Sequence, residues 1–262
     1  MTDLALNAYI LPPGHGVLAF LDAAAALGAR RVALTRESLA ELPPPRLRRA
    51  LADRDLTVSS LNSVGWFGDP AREAGAGDPA GRGLIEAAGE LGAEVLCVIP
   101  GGMGEPADPA GARARLADGL AALDAAAAES GVALGLEPIH PASAHDKGCV
   151  ATLAEARALV APLAATGLLV DLFHSWWDPD LLAAAPEIRL LQICNVLPGE
   201  DGPRRSPTLD RGLLDLSATL GALRAAGWRG APEFEIFDRH REGRDPGDLM
   251  AEAVRAYAAR PA

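Results

Sequence analysis

From end to end the chain alternates short β-type apolar runs with Ala/Leu/Arg-rich stretches of helical length, and this alternation restricts the fold more than any motif does. Strands are expected near 4–9, 30–34, 56–61, 94–99, 132–137, 167–172, 188–194 and 232–237. Helices are expected near 17–27, 44–53, 80–91, 108–129, 152–164, 178–185, 213–226 and 246–259. Gly28, Gly92, Gly131, Gly167 and Gly227 stand where helices should stop, because glycine takes the left-handed C-cap conformation at little steric cost. Pro43-Pro44-Pro45 and Asp108-Pro109 mark helix starts. No second compositional region or low-complexity linker interrupts the pattern, so residues 1–262 are expected to form a single domain.

Eight βα units leave a closed eight-stranded barrel or an open doubly wound sheet. An open dinucleotide-binding sheet should carry Gly-x-Gly-x-x-Gly after an early strand, and Leu11-Pro-Pro-Gly14-His-Gly16 does not fit. Pro100-Gly-Gly-Met-Gly104 lacks both the Lys-Ser/Thr and the glycine spacing of a phosphate cradle, and reads as a loop. The barrel is favoured.

Composition removes several function classes. A net charge of −11 opposes sequence-independent binding to nucleic acid. No apolar run reaches the roughly 18–20 residues of a membrane span, and the start Met1-Thr-Asp-Leu-Ala-Leu lacks a basic secretory leader. Cys97, Cys149 and Cys194 show no paired spacing, so reduced thiols in a cytoplasmic protein are expected. There is no Gly-x-Ser-x-Gly or His-Glu-x-x-His.

Chemistry concentrates at the strand ends. Val132-Ala-Leu-Gly-Leu-Glu137-Pro-Ile-His140 and Gly167-Leu-Leu-Val-Asp171-Leu-Phe-His174 each end an apolar run on an acid and place a histidine three residues later. A buried strand does not end in an unpaired charge without large cost. In a barrel, polar groups at the carboxyl ends of strands face the active site. Those ends read Asn62, Glu137, Asp171, Gln192 and Glu235, with Glu233 on the same strand face as Glu235 but deeper. Oxygen donors from Glu137, Asp171, Gln192 and Glu235 suit one divalent ion: Mn²⁺, Mg²⁺ or Co²⁺. His174, and less directly His140, stand beside the acids, and His15 and His240 follow the first and last strands. Trp66-Phe67 and Trp176-Trp177 could wall a pocket for a sugar-sized ligand, and Arg211 could bind an anion or hydroxyl. No basic cluster gathers on the expected rim, which favours neutral polyols or cyclic ketones, although Arg204, Arg205 and Arg211 share one loop.

At these residues the chain resembles the sugar-phosphate isomerase/epimerase superfamily, the xylose-isomerase-like TIM barrels. Gly135-Leu-Glu137-Pro-Ile-His140-Pro and Val170-Asp171-Leu-Phe-His174-Ser-Trp-Trp-Asp178-Pro-Asp carry the likeness most strongly. Ser60-Leu-Asn62-Ser, Cys97-Val-Ile-Pro-Gly-Gly102 and Glu233-Phe-Glu235-Ile-Phe add to it. The resemblance implies a (βα)8 TIM barrel in which Glu137, Asp171, the strand-seven residue and Glu235 bind one divalent cation and the two glutamates exchange a substrate proton. Strand seven departs from the pattern: Leu191-Gln192-Ile-Cys194-Asn195 has Gln for the usual His and Asn for an Asp. Gln192 and Asp171-Leu-Phe-His174 are similar to 3-dehydroshikimate dehydratases of the same superfamily.

The expected function is isomerisation or epimerisation of a sugar, polyol or related hydroxy-ketone, by proton abstraction next to a carbonyl through a metal-stabilised enediolate. Glu137, Glu235 and His174 are the candidate catalytic residues, and Asn62, Trp66, His140, Trp176 and Arg211 the candidate substrate contacts. With His174 as base and a departing β-hydroxyl, the same chemistry becomes dehydration. A barrel that binds a small molecule without turnover is the third reading, motivated by Asn195 and the short loop from Pro198 to Leu214. The expected partner is a small-molecule substrate, with no nucleic acid or membrane and with a homo-oligomer left open.

Overall fold

A computed structural model describes residues 1–12, 14, 16–67, 81–200 and 202–260. Eight parallel strands close a barrel: β1 (Ala5–Asn7), β2 (Arg31–Thr35), β3 (Thr57–Gly65), β4 (Val95–Ile99), β5 (Leu134–Leu136), β6 (Thr166–Asp171), β7 (Ile188–Ile193) and β10 (Glu233–Phe234). A separate two-stranded antiparallel ribbon, β8 (Val196–Leu197) with β9 (Arg204–Arg205), rises from the end of β7. The helices among the described residues are α1 (Val17–Ala26), α2 (Arg36–Glu41), α3 (Pro44–Ala52), α4 (Arg82–Leu91), α5 (Pro109–Ser130), α6 (Leu153–Val160), α7 (Leu172–Ser175), α8 (Leu216–Ala225) and α9 (Pro246–Ala258).

Alternation along the strands divides the core in two. Leu96, Val98, Leu134, Leu168, Val170, Leu191 and Ile193 join the large cluster that the helices cover. Val95, Cys97, Leu169 and Leu190 form a small separate cluster inside the barrel. Gly135 makes room for it: a Cβ there would lie 2.9 Å from Val95 Cγ1 and 3.0 Å from Leu169 Cβ. Above this apolar layer the register aligns Asp171 with Gln192 and Gln192 with Glu233, and so begins a polar layer across β6, β7 and β10.

Helix boundaries follow their caps. Gly92 and Gly131 close α4 and α5 in the left-handed conformation, while Asp108 and Asp215 cap α5 and α8 by accepting from Gly111 and Ala218 N–H. Gly167 is not a helix stop. It lies within β6, where a Cβ would meet the Arg189 side chain at 2.4 Å. The helix expected over 178–185 is replaced by turns and a 3-10 turn at Ala185–Glu187. There Asp178 is drawn aside to accept from the backbone N–H of Leu153 and Asp180, each at 2.8 Å. Helix α2 was not expected. It follows β2 directly through a reciprocal cap between Thr35 and Ser38.

The glycine run after β4 is occupied structurally. Met103 and Gly104 donate to Ala144 and His145 carbonyls, and Cys149 donates to Gly101, which zips this loop to the loop after β5. Gly102 permits the approach, since a Cβ would lie 2.2 Å from His145 O. The Met103 and Gly104 N–H groups are therefore already taken by backbone carbonyls. All three cysteines are free and buried, and no helix among the described residues is long and apolar enough to cross a membrane.

Candidate functional site

The carboxyl ends of the strands converge on a cavity of about 170 Å³ lined by Tyr9, Asn62, Trp66, Glu137, Lys147, His174, Arg205, Glu235, Phe237 and Arg239, among others. Beneath it, Glu233 is fully buried and accepts four hydrogen bonds, from Asn7 (2.8 Å), Gln192 (2.8 Å), Ser59 (2.7 Å) and Ser60 (2.9 Å). This carboxylate is the satisfied deeper group expected of a buried acid. Glu235, one layer nearer the mouth, accepts from Asn7 at 3.1 Å and Gln192 at 2.9 Å through the same oxygen.

Asp171 does two jobs. One oxygen caps α7 by accepting from Phe173 N–H at 2.9 Å, and the other meets the guanidinium of Arg205. Arg205 is buried and also reaches Glu235 at 3.1 Å, so one cation bridges two of the expected metal ligands. The β8–β9 ribbon delivers it. Asn195, at the root of the ribbon, donates to the carbonyls of Leu209 and Leu214 and accepts from Val196 and Leu214 N–H. An aspartate could not donate, so Asn195 holds this loop rather than weakening it.

His174 is buried against Glu137, with Nε2 to Oε1 at 3.7 Å. Its Nδ1 accepts the backbone N–H of His140 at 3.1 Å, which leaves the ring proton on Nε2, facing the acid and the cavity. Burial first, then Arg205, Lys147 and His140, hold its pKa well below the usual histidine range, so the ring is neutral. In this tautomer His174 presents its Nε2 proton to the cavity, whereas the dehydration reading used it as a base.

The acids carry more buried negative charge than Arg205 offsets. Burial, then Asp171 and Glu235, push the Glu137 carboxyl well above its ordinary range. Burial pushes Glu235 up to about 8, with Arg205 opposing and Asp171 and Glu233 adding. Glu137, Asp171 and His174 each offer a ligand atom within 4.8 Å of one another. These atoms fit a divalent cation, and Glu235, which stands outside that group of three, lines the same cavity and is linked to Asp171 through Arg205. Two features qualify the expected set. Gln192 turns its amide N–H toward Glu233 and Glu235 instead of presenting an outward oxygen, and Arg205 must withdraw from between Asp171 and Glu235.

Of the expected substrate contacts, Asn62 and Trp66 line the cavity. Trp66 does so from a left-handed backbone (φ 68°) pinned by its N–H to Ile99 O at 2.7 Å, a strained placement for a bulky residue. His140 lies outside the lining and acts on it through His174. Trp176 also lies outside, and Arg211 is exposed and paired with Glu242, so neither contacts this cavity. His15 lies outside the described residues. Sequence reasoning missed Tyr9, Lys147, Phe237 and Arg239. Lys147 had an available signal: it is the only lysine in the chain.

The family described as Xylose isomerase-like TIM barrel matches residues 21–260. Among solved structures, the chain is 28% identical to protein SMc04130 from Sinorhizobium meliloti 1021, with a TM-score of 0.87 over 98% of each chain. It is 19% identical to IolI protein with a bound zinc atom, with a TM-score of 0.81 over 98% of this chain and 97% of that one. It is 20% identical to 3-keto-D-glucoside 4-epimerase, YcjR, from E. coli, with a TM-score of 0.75 over 97% and 98%. The comparison with curated proteins gives no match. A closed barrel of eight parallel strands, together with a family match over nearly its whole length, makes this chain a member of the xylose isomerase-like TIM barrel family.

Proposed function

We propose that this barrel is a divalent-metal-dependent isomerase or epimerase of a small hydroxy-ketone. The observation that carries the reading is the pairing of Glu137 and Glu235, which end separate strands yet line one cavity with His174. Two neighbours named as epimerases, 3-keto-D-glucoside 4-epimerase and D-allulose 3-epimerase, support the reading, while another is named an AP endonuclease of family 2. Glu137, Asp171 and Glu235 would hold a divalent ion, which when bound would supply polarisation of the carbonyl and neutralisation of charge developing on oxygen. One glutamate takes the proton from the carbon beside the carbonyl, and the other returns a proton to give the epimer or the isomer. The His174 Nε2–H donates to a substrate oxygen as negative charge develops there. Asn62, Tyr9 and Trp66 position the carbon skeleton and exclude water.

The test is exchange of substrate carbon-bound hydrogen with D₂O, followed by NMR across a panel of ketoses and hydroxy-ketones with Mn²⁺ or Mg²⁺ added. Exchange that falls about 10²–10⁴-fold in both Glu137→Gln and Glu235→Gln is the expected result. No exchange with any member of the panel, in protein that binds about one equivalent of metal, would overturn the reading. A second reading, a metal-dependent dehydratase, is favoured by the proton on His174 Nε2, which can protonate a departing hydroxyl. It differs by net loss of water from the substrate. A barrel that only binds would give saturable binding with no exchange.

A further inference from the structure

The chain holds 24 basic residues and one is a lysine, Lys147. Arginines elsewhere find carboxylates, as in Arg54–Asp22, Arg113–Glu155, Arg157–Glu187 and Arg204–Glu242. The side chains of Lys147 and Arg239 line the cavity and make no ion pair or hydrogen bond among the described residues. Both gather on the ring of Phe237, with Lys147 Nζ 5.8 Å and Arg239 Cζ 4.5 Å from its centroid. Arg205 reaches the same ring at 5.1 Å.

Their placement is built into the fold. Lys147 sits on the loop after β5, where its N–H donates to Ser143 and the following residues bond Ser143 and Gly101. Arg239 stands in the 3-10 turn that follows β10. Facing them across the cavity are Glu137 and Glu235, the acids assigned to the metal, while Asp146, next to Lys147 in the chain, adds a weaker opposite charge and lies 3.8 Å from His145 Nδ1. A divalent ion on the acids would leave Arg239 without a facing carboxylate in the cavity and Lys147 with only Asp146. The mutual opposition of these cations is visible in Lys147, whose ammonium is pushed down by burial, then by Arg239.

We infer that Lys147 and Arg239 form an anion subsite, so that the substrate of this barrel carries a carboxylate or a phosphate at the end remote from the reacting carbons. This reverses the expectation of a neutral polyol. It deepens the reading under Proposed function and rests on that cavity being the substrate site. A lysine suits the role as a compact charge on a flexible stem, and a bidentate arginine complements it against planar or tetrahedral oxyanions.

A single lysine makes the test direct. Protein grown with lysine labelled at the ε-carbon gives one side-chain resonance, which is followed while glycolate, inorganic phosphate or neutral ethylene glycol is added at constant ionic strength. Chelator-dialysed protein is used first, then protein with Mg²⁺. The expected result is a saturable shift with one or both anions, at least about tenfold stronger than any response to ethylene glycol, and a dissociation constant raised about fivefold or more in Arg239→Met. Response to glycolate alone assigns a carboxylate, and response to phosphate alone a phosphoester; both support the subsite. No saturable shift with either anion, an equal response to ethylene glycol, or an unchanged constant in Arg239→Met overturns it. The assay needs no turnover. A failed exchange experiment with intact anion binding would remove the isomerase reading and leave the subsite, and the converse result would do the opposite.

Discussion

Arg205 is the residue whose placement decides how the acids behave. Its guanidinium is buried between Asp171 and Glu235 and also lies 3.4 Å from Cys194 Sγ. Removing one partner of a buried pair leaves an uncompensated charge, typically at a cost of about 3–5 kcal/mol. Arg205→Met is therefore expected to lower the thermal midpoint of metal-free protein strongly. In the same variant, Asp171 and Glu235 become free to bind a cation without displacing a guanidinium. Its affinity for Mg²⁺ or Mn²⁺, measured by calorimetry, is expected to exceed that of the parent. Equal affinity in both proteins would mean that Arg205 and the cation do not compete. His174 gives a second residue-scale expectation. His174→Gln keeps an N–H donor and is expected to retain more hydrogen exchange than His174→Ala, a contrast that a catalytic base would not produce.

Elements are fastened to one another by a few buried polar side chains. Asp124 of α5 accepts from the N–H of Ala164 and Ala165 at 3.1 and 2.9 Å and from the Thr166 hydroxyl at 2.7 Å, and so fixes the start of β6. Burial pushes its carboxyl up, but the Thr166 hydroxyl and the backbone donors outweigh this, and its pKa is lowered. A lowered carboxylate contributes stability that is present above its unfolded pKa and lost as pH falls through the folded value. Asp124→Asn is expected to cost about 1–3 kcal/mol at neutral pH and to flatten the acid limb of a denaturation-midpoint profile below about pH 4. The loop after β7 depends similarly on Asn195. Asn195→Asp would set a carboxylate against the Leu209 and Leu214 carbonyls, and is expected to raise amide exchange at Ser206 and Leu213, whose N–H groups bond Asn195 and Val196 carbonyls. Because that loop carries Arg205, the same substitution is expected to loosen the acid cluster.

At the scale of the whole barrel, a cation that binds only the folded chain shifts unfolding by mass action. A divalent ion at a hundredfold excess over its dissociation constant is expected to add about 2.7 kcal/mol, read as a rise of several degrees in thermal midpoint that K⁺ does not reproduce. The rise is expected to vanish in Glu235→Ala. The barrel itself was legible in the chain, because the hydrophobic runs of its eight strands are local signals, and glycines such as Gly92 and Gly131 and caps such as Asp108 and Asp215 mark helix ends. The acids were legible too: Glu137, Asp171 and Glu235 end strands, and only a shared site makes three buried carboxylates tolerable. The residues that set their chemistry come from loops, and no periodicity reports where a loop returns. Thus Arg205 enters on a short ribbon, Lys147 on a loop zipped to its neighbour, and Arg239 on a turn, while Arg211, beyond that ribbon on the same loop, is exposed and pairs with Glu242. Sequence by itself determined the eightfold alternation and the strand-end acids, since these follow from side-chain pattern along the chain. Only the tertiary structure decided which cations meet those acids, which nitrogen of His174 holds the proton, and where Gln192 turns its amide, since each depends on contacts between segments far apart in the chain.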